Sequence, residues 1–241
     1  MLSKYVKPGD KVEVQAVERV KFADEGEKKK VYASMVSDIL SDDQLEIVMP
    51  MEKSKLILLP VNAEYDVYFY TESGLYQCFV KVVDRYKQDN QYILLLELTS
   101  NLRKFQRREY YRLGCALEMS ARPLEKEEIR AVENNDKYLV PGLPLKRSVI
   151  VDISGGGIRF VGDYCYEPDS LVCCKYNLAT DGKSKEYTLI SKILTARELP
   201  DRPGLYEHRA QYIHIDTAER EEIIRFIIEE ERKHRKREKG I

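Results

Sequence analysis

Tyr65-Asp66-Val67-Tyr68-Phe69-Tyr70, followed by Glu72-Ser73-Gly74 and then by Leu75 to Val83, carries the clearest fold signal in the chain. β-Branched and aromatic side chains favour a pleated surface, and a short polar cluster ending in glycine between two such runs is turn chemistry. Outward from this hairpin the same rhythm recurs. Upstream lie Val12 to Val14 after the turn signal Pro8-Gly9-Asp10, then Val31 to Ile39, Gln44 to Val48 and Lys55 to Leu59; downstream lies Gln91 to Leu98. Asp42-Asp43 and Gln88-Asp89-Asn90 separate them. Evenly spaced short strands with no long helix between them predict a closed or nearly closed β-barrel over residues 1–100.

Residues 101–241 repeat the pattern. Strands are expected over Tyr110 to Met119, Ser148 to Ile153, Gly157 to Val161, Ser170 to Tyr176, Glu186 to Thr195 and Tyr206 to Ile215. Between Met119 and Ser148, Glu125 to Glu133 reads as one short helix, followed by Pro141-Gly142-Leu143-Pro144. This insertion is longer than a tight β connection needs, and it reads as an uninvolved surface loop. Asp216 is placed to cap a terminal helix, with Glu219 three residues on as in a capping box. That helix presents Ile223, Ile224, Phe226, Ile227 and Ile228 as a broad apolar face. The expected fold is mainly β: two β-barrel domains in tandem with a C-terminal α-helix.

Composition narrows the class. The 241 residues are 43% hydrophobic and 34% charged, a globular rather than a disordered balance, and the length favours two domains. A net charge of −1 gives no bulk attraction to nucleic acid polymers or membranes, so any anion site must be local. Five cysteines, an odd number without a C-x-x-C pair, predict reduced thiols and a cytoplasmic protein. Cys173 and Cys174 are adjacent in a strand, should face opposite sides, and read as small hydrophobes rather than metal ligands. The beginning of the chain has no apolar signal core, and no run is long enough for membrane insertion. His208, His214 and His234 lack metal-ligand spacing, although the first two share strand parity. Ser154 has no neighbouring base, so neither metal nor nucleophilic chemistry is expected, and the chain does not read as an enzyme.

The local anion site is visible in Gln106-Arg107-Arg108-Glu109-Tyr110-Tyr111-Arg112. From Arg103 to Arg112, five basic residues (Arg103, Lys104, Arg107, Arg108, Arg112) stand against Glu109 alone. Guanidinium forks pair bidentately with phosphate oxygens or with guanine O6 and N7, the latter contributing about 1–3 kcal/mol in DNA. In an extended segment Arg108 and Arg112 would project to one side, roughly 13 Å apart at about 3.3 Å per residue. Downstream, Val149-Ile150-Val151 leads into Asp152-Ile153-Ser154-Gly155-Gly156-Gly157. Asp152 supplies acceptors for a guanine N1–H and N2–H₂ edge, or for orienting an arginine. Ser154 supplies a small donor and acceptor, and Gly157 a backbone unhindered by a side chain.

The two half-motifs together resemble the PilZ domain, whose signature is Arg-x-x-x-Arg followed by Asp/Asn-x-Ser-x-x-Gly. Arg108 and Arg112 match the first half; Asp152, Ser154 and Gly157 match the second. The preceding domain is similar in pattern to the N-terminal barrel of the YcgR-type flagellar brake proteins. This resemblance implies an N-terminal YcgR-like domain over 1–100 and a PilZ domain over 101–241. It implies cyclic di-GMP as ligand, held by Arg107, Arg108, Arg112, Asp152, Ser154 and Gly157, with no other cofactor. It also implies that Arg107, a basic residue just before the first motif arginine, favours a stacked pair of ligands over one. The resemblance further implies a changed arrangement of the domains on binding and an output on motility through a flagellar stator or rotor protein. Two other readings stay open: a single-stranded nucleic-acid-binding barrel that stacks bases on exposed tyrosines, and a structural adaptor that works through the terminal helix without ligand.

Overall fold

In the computed structural model the described residues are 2–17, 30–180 and 182–238, and the chain separates into two compact units, Met1–Arg107 and Arg108–Ile241. In the first unit a 3₁₀ turn, Leu2–Lys4, precedes β1 (Lys11–Ala16), β2 (Val31–Ile39), β3 (Gln44–Val48), β4 (Met51–Glu52), β5 (Lys55–Leu56), β6 (Glu64–Thr71), β7 (Gly74–Gln88), β8 (Gln91–Leu98) and β9 (Arg103–Lys104). Strand β6 pairs with both β1 and β7, so the antiparallel ring β6-β1-β2-β3-β8-β7 returns on itself, and β9 adds to β7. The deciding hairpin behaves as its alternation requires: Tyr65, Val67 and Phe69 are buried, while Asp66, Tyr68 and Tyr70 face outward. Cys78 is buried in the same core, which pushes its thiol up to about 12 and leaves it inert. The strand expected over Lys55 to Leu59 stops at Leu56. It pairs only with β4 across a turn that holds Lys53 and Ser54 at positive φ.

The second unit contains β10 (Arg112–Pro123), α1 (Lys126–Glu133), β11 (Lys146–Ser154), β12 (Gly157–Gly162), β13 (Leu171–Thr180), β14 (Lys183–Leu199), β15 (Arg202–Tyr212) and α2 (Thr217–Glu238). Its six strands close a barrel in the order β10-β11-β12-β15-β14-β13. The interior is packed with Leu113, Ile150, Ile153, Phe160, Tyr176, Leu189 and Tyr212, and α2 joins this core through Ile223, Phe226 and Ile227. Buried polar atoms pair inside: the Tyr176 and Tyr212 hydroxyls lie 2.7 Å apart, and His208 Nε2 accepts from the Tyr166 N–H at 3.0 Å. His208 stacks on Phe160 at 4.8 Å, and burial lowers its pKa to about 4. The last strand ends at Tyr212 rather than Ile215, and His214 sits beyond it at φ 50°, so the two histidines share no strand face.

The insertion differs from a plain surface loop. Arg122 donates to both carboxylate oxygens of fully buried Glu128, which also accepts from the Glu125 N–H (2.6 Å) and the Val140 N–H (2.7 Å). The pair ties both ends of the insertion to β10, and these hydrogen bonds, the Arg122 contact foremost, hold the Glu128 carboxyl down to about 2. Leu124 and Val132 then pack on Cys173 and Ile190, on the outside of β13 and β14. Cys174 belongs to the barrel interior, so the adjacent cysteines do face opposite sides. Burial pushes the Cys174 thiol up to about 12.

Candidate ligand-binding site

The strand register of the second barrel brings Arg112 of the first half-motif beside the second. Arg112 on β10 pairs with Ser154 on β11, Ser154 with Gly157 on β12, and Gly157 with Gln211 on β15. One residue inward lies the row Leu113, Ile153, Ile158 and Ala210, all of it in the core. The next row is Gly114, Asp152, Arg159 and Arg209. Because side chains alternate across a sheet, the first and third rows share the outer wall of the barrel. Arg112, Asp152, Ser154 and Gly157 therefore stand within two adjacent outward rows, although 40 positions separate Arg112 from Asp152 in the sequence.

Asp152 reaches that wall through an irregularity. Strict alternation from buried Ile150 would turn Asp152 inward, yet the next buried residue is Ile153. The β11–β12 register slips between Ile150 and Asp152, and the β10–β11 register slips between Gly114 and Leu117. An extra residue in a strand re-aims the side chain that follows it, and here it sends a carboxylate to the surface. Arg159 Nε then donates to Asp152 Oδ2 at 2.5 Å, and Arg159 Nη1 donates to Glu207 Oε2 at 2.7 Å. Asp152 is thus held by an arginine, one of its two expected uses. Sequence reading missed Arg159 and Glu207. Counting back from a two-residue Gly155-Gly156 turn would have set Asp152 opposite Arg159.

The three glycines are explained by packing. Gly155 and Gly156 have no left-handed backbone; instead a Cβ at Gly155 would stand 2.6 Å from the Tyr110 ring, and one at Gly156 3.1 Å. Tyr110 lies on this bare turn, and its hydroxyl accepts from Arg220 Nη1 of α2 at 2.8 Å. Gly157 is stricter still, since a Cβ there would meet the Ala210 carbonyl oxygen at 2.1 Å. The Ser154 hydroxyl donates to the Gly157 carbonyl at 3.1 Å, closing the turn and leaving its oxygen lone pairs as the free function. Tyr111 donates to Glu231 of α2 at 2.9 Å. Tyr110, Tyr111, Ile224, Ile227 and Ile228 line a separate, largely apolar cavity of about 550 Å³ that includes none of the six predicted site residues.

The arginine block is not one extended segment. The backbone bends at Glu109 and Tyr110, and β10 starts only at Arg112, so a regular same-side projection of Arg108 and Arg112 is absent. Arg108 opens the second unit. Arg107 closes the first, where its guanidinium donates to the Tyr70 hydroxyl at 2.6 Å, lies 3.6 Å from Glu13 Oε2 and sits 5.2 Å from the Tyr70 ring centre. Among the described residues no cluster of three or more His, Cys, Asp or Glu could hold a metal ion, and no helix is long and apolar enough to cross a membrane.

Comparison with known proteins assigns both units. Residues 7–98 match the family described as PilZNR, flagellar protein YcgR, and residues 106–229 match the PilZ domain. No curated protein sequence matches the chain. Among solved structures, the inhibitor of motility MotI/DgrA of Bacillus subtilis superposes with a TM-score of 0.72 at 16% identity, covering 94% of this chain and 98% of that one. YcgR of Escherichia coli, solved in complex with c-di-GMP, gives a TM-score of 0.47 at 11% identity, covering 96% of this chain and 88% of the other. With residues 106–229 matched by the PilZ model, Arg112 and the second half-motif on one barrel wall and a YcgR-type unit ahead of them, the chain belongs to the PilZ-domain family.

Proposed function

We propose that this protein is a receptor for cyclic di-GMP that passes ligand occupancy to a protein partner of the flagellar motor. The observation that most directly supports the reading is the register that sets Arg112, Ser154 and Gly157 in one outward row and Asp152 in the next. Cyclic di-GMP presents phosphates and guanine edges. Arg108 and Arg112 supply forks for the phosphates or for guanine O6 and N7, and Asp152 supplies an acceptor for guanine N1–H and N2–H₂. Ser154 offers its lone pairs to a donor on the ligand. Gly157 serves by letting β12 run close to β15, which keeps the row in register.

Arg107 is the sixth contact. Arg107 is the last residue of the first unit and Arg108 the first of the second, and in this reading binding shifts the population of domain arrangements. The flagellar family of the first unit supports a motility output through a stator or rotor protein. Calorimetry of the full chain with cyclic di-GMP tests the core of this reading. Arg108→Ala or Arg112→Ala should abolish the binding heat while thermal unfolding stays unchanged; undiminished binding in both defeats the assignment. Capture of motor proteins on the immobilised chain, with and without the dinucleotide, tests the partner.

A further inference from the structure

From the geometry on the barrel wall we infer that Arg159 is a positioning residue for base recognition: it fixes the Asp152 carboxylate so that the second oxygen faces the guanine edge. The inference rests on the cyclic di-GMP reading and deepens it. Asp152, Arg159 and Glu207 lie on three neighbouring strands, β11, β12 and β15, so their backbones are set by the sheet and only the side chains need ordering. Arg159 is gripped from both sides, by Glu207 Oε2 at Nη1 and by Asp152 Oδ2 at Nε. Their side chains keep only 35%, 16% and 22% of their exposure for Arg159, Asp152 and Glu207, so the network is partly shielded from water. Isolated exposed ion pairs order little, but a half-buried arginine with two carboxylates has few alternative rotamers.

The consequence for Asp152 is directional. Its Oδ2 is taken, and Oδ1 has no partner among the described residues. A carboxylate free to turn would satisfy any nearby donor. One pinned at Oδ2 presents Oδ1 as a fixed acceptor, and set opposite N2–H₂ it distinguishes a base carrying a 2-amino group from one without it. Arg159 thus acts on ligand choice without touching the ligand, and Glu207 supports it from the far side. Preorganised acceptors discriminate because an unmatched polar edge leaves them unpaired.

The test compares cyclic di-GMP with its hypoxanthine analogue, which lacks the 2-amino groups, by calorimetry on the full chain. Arg159→Met should weaken cyclic di-GMP binding about tenfold, and the analogue by much less, so the preference for guanine collapses toward that of Asp152→Ala. Glu207→Gln, which leaves Arg159 and Asp152 in place, should narrow the preference in the same direction by a smaller factor, and it carries the test if Arg159→Met fails to fold. Arg159→Lys should restore affinity only in part, since an ammonium lacks the second donor arm. An unchanged guanine preference in folded Arg159→Met, or in Glu207→Gln where that variant stands alone, overturns the inference, even if both ligands weaken equally. Failure of the receptor reading looks different: the wild-type chain gives no heat with either dinucleotide, and the inference falls with it.

Discussion

Gly157 and Ser154 show that a signature residue can serve the fold directly. An alanine at 157 drives its methyl group against the Ala210 carbonyl, a backbone atom that cannot swing aside. Gly157→Ala should therefore lower the thermal midpoint of the second unit and lose ligand together with it. Ser154→Ala removes one turn hydrogen bond, costs about 1 kcal/mol, and should weaken binding with little loss of stability. Thermal unfolding alongside calorimetry separates the two. His208 gives a pH signature. Its folded pKa, about 4, lies below the unfolded value near 6.5, so the unfolded chain binds more protons between them. Stability should be intact above pH 6.5 and fall by about 3 kcal/mol as pH drops through 6.5 toward 4, and His208→Phe should flatten this fall in denaturant titrations at stepped pH.

At the scale of elements, alternation made most strands legible, because a barrel wall has one apolar and one wet face and side chains repeat every two residues. Val31–Ile39, Gln44–Val48 and Gln91–Leu98 have the bounds read from the sequence. The bulges were not legible: Val151 looks like any strand residue, and only the pairing with β12 exposes it as extra. The two half-motifs were visible as sequence patterns, but the Asp152–Arg159 pairing depended on turn length, and the bend at Glu109–Tyr110 depended on packing against Gly155 and α2. The insertion was hidden for a related reason. Its organising contact is a buried pair between Arg122 and Glu128, residue types normally assigned to the surface. Arg122→Leu leaves a buried carboxylate without its counter-charge and should destabilise the second unit by about 3–5 kcal/mol. Limited proteolysis should then cut within residues 134–145 first. Survival of that segment uncut would show that the apolar contacts of Leu124 and Val132 suffice.

For the whole molecule, the division between Arg107 and Arg108 means that adjacent residues serve different units. If ligand engages Arg107, it competes with Glu13 and Tyr70. Glu13→Gln combined with Tyr70→Phe should then tighten cyclic di-GMP binding about two- to fivefold, the scale of one exposed ion pair and a hydrogen bond. Four glycines inserted between 107 and 108 should leave affinity through Arg108 and Arg112 largely in place and remove any ligand-dependent change in the scattering profile of the chain. Loss of binding instead would mean that both arginines are needed at once. The packed barrel has one more implication. With Phe160, Tyr176 and Tyr212 filling the interior, a dinucleotide bound on these rows would sit against a rampart instead of sinking into a well. Any flank it left bare would then serve as mortar, half of a contact surface that exists only while the messenger is bound.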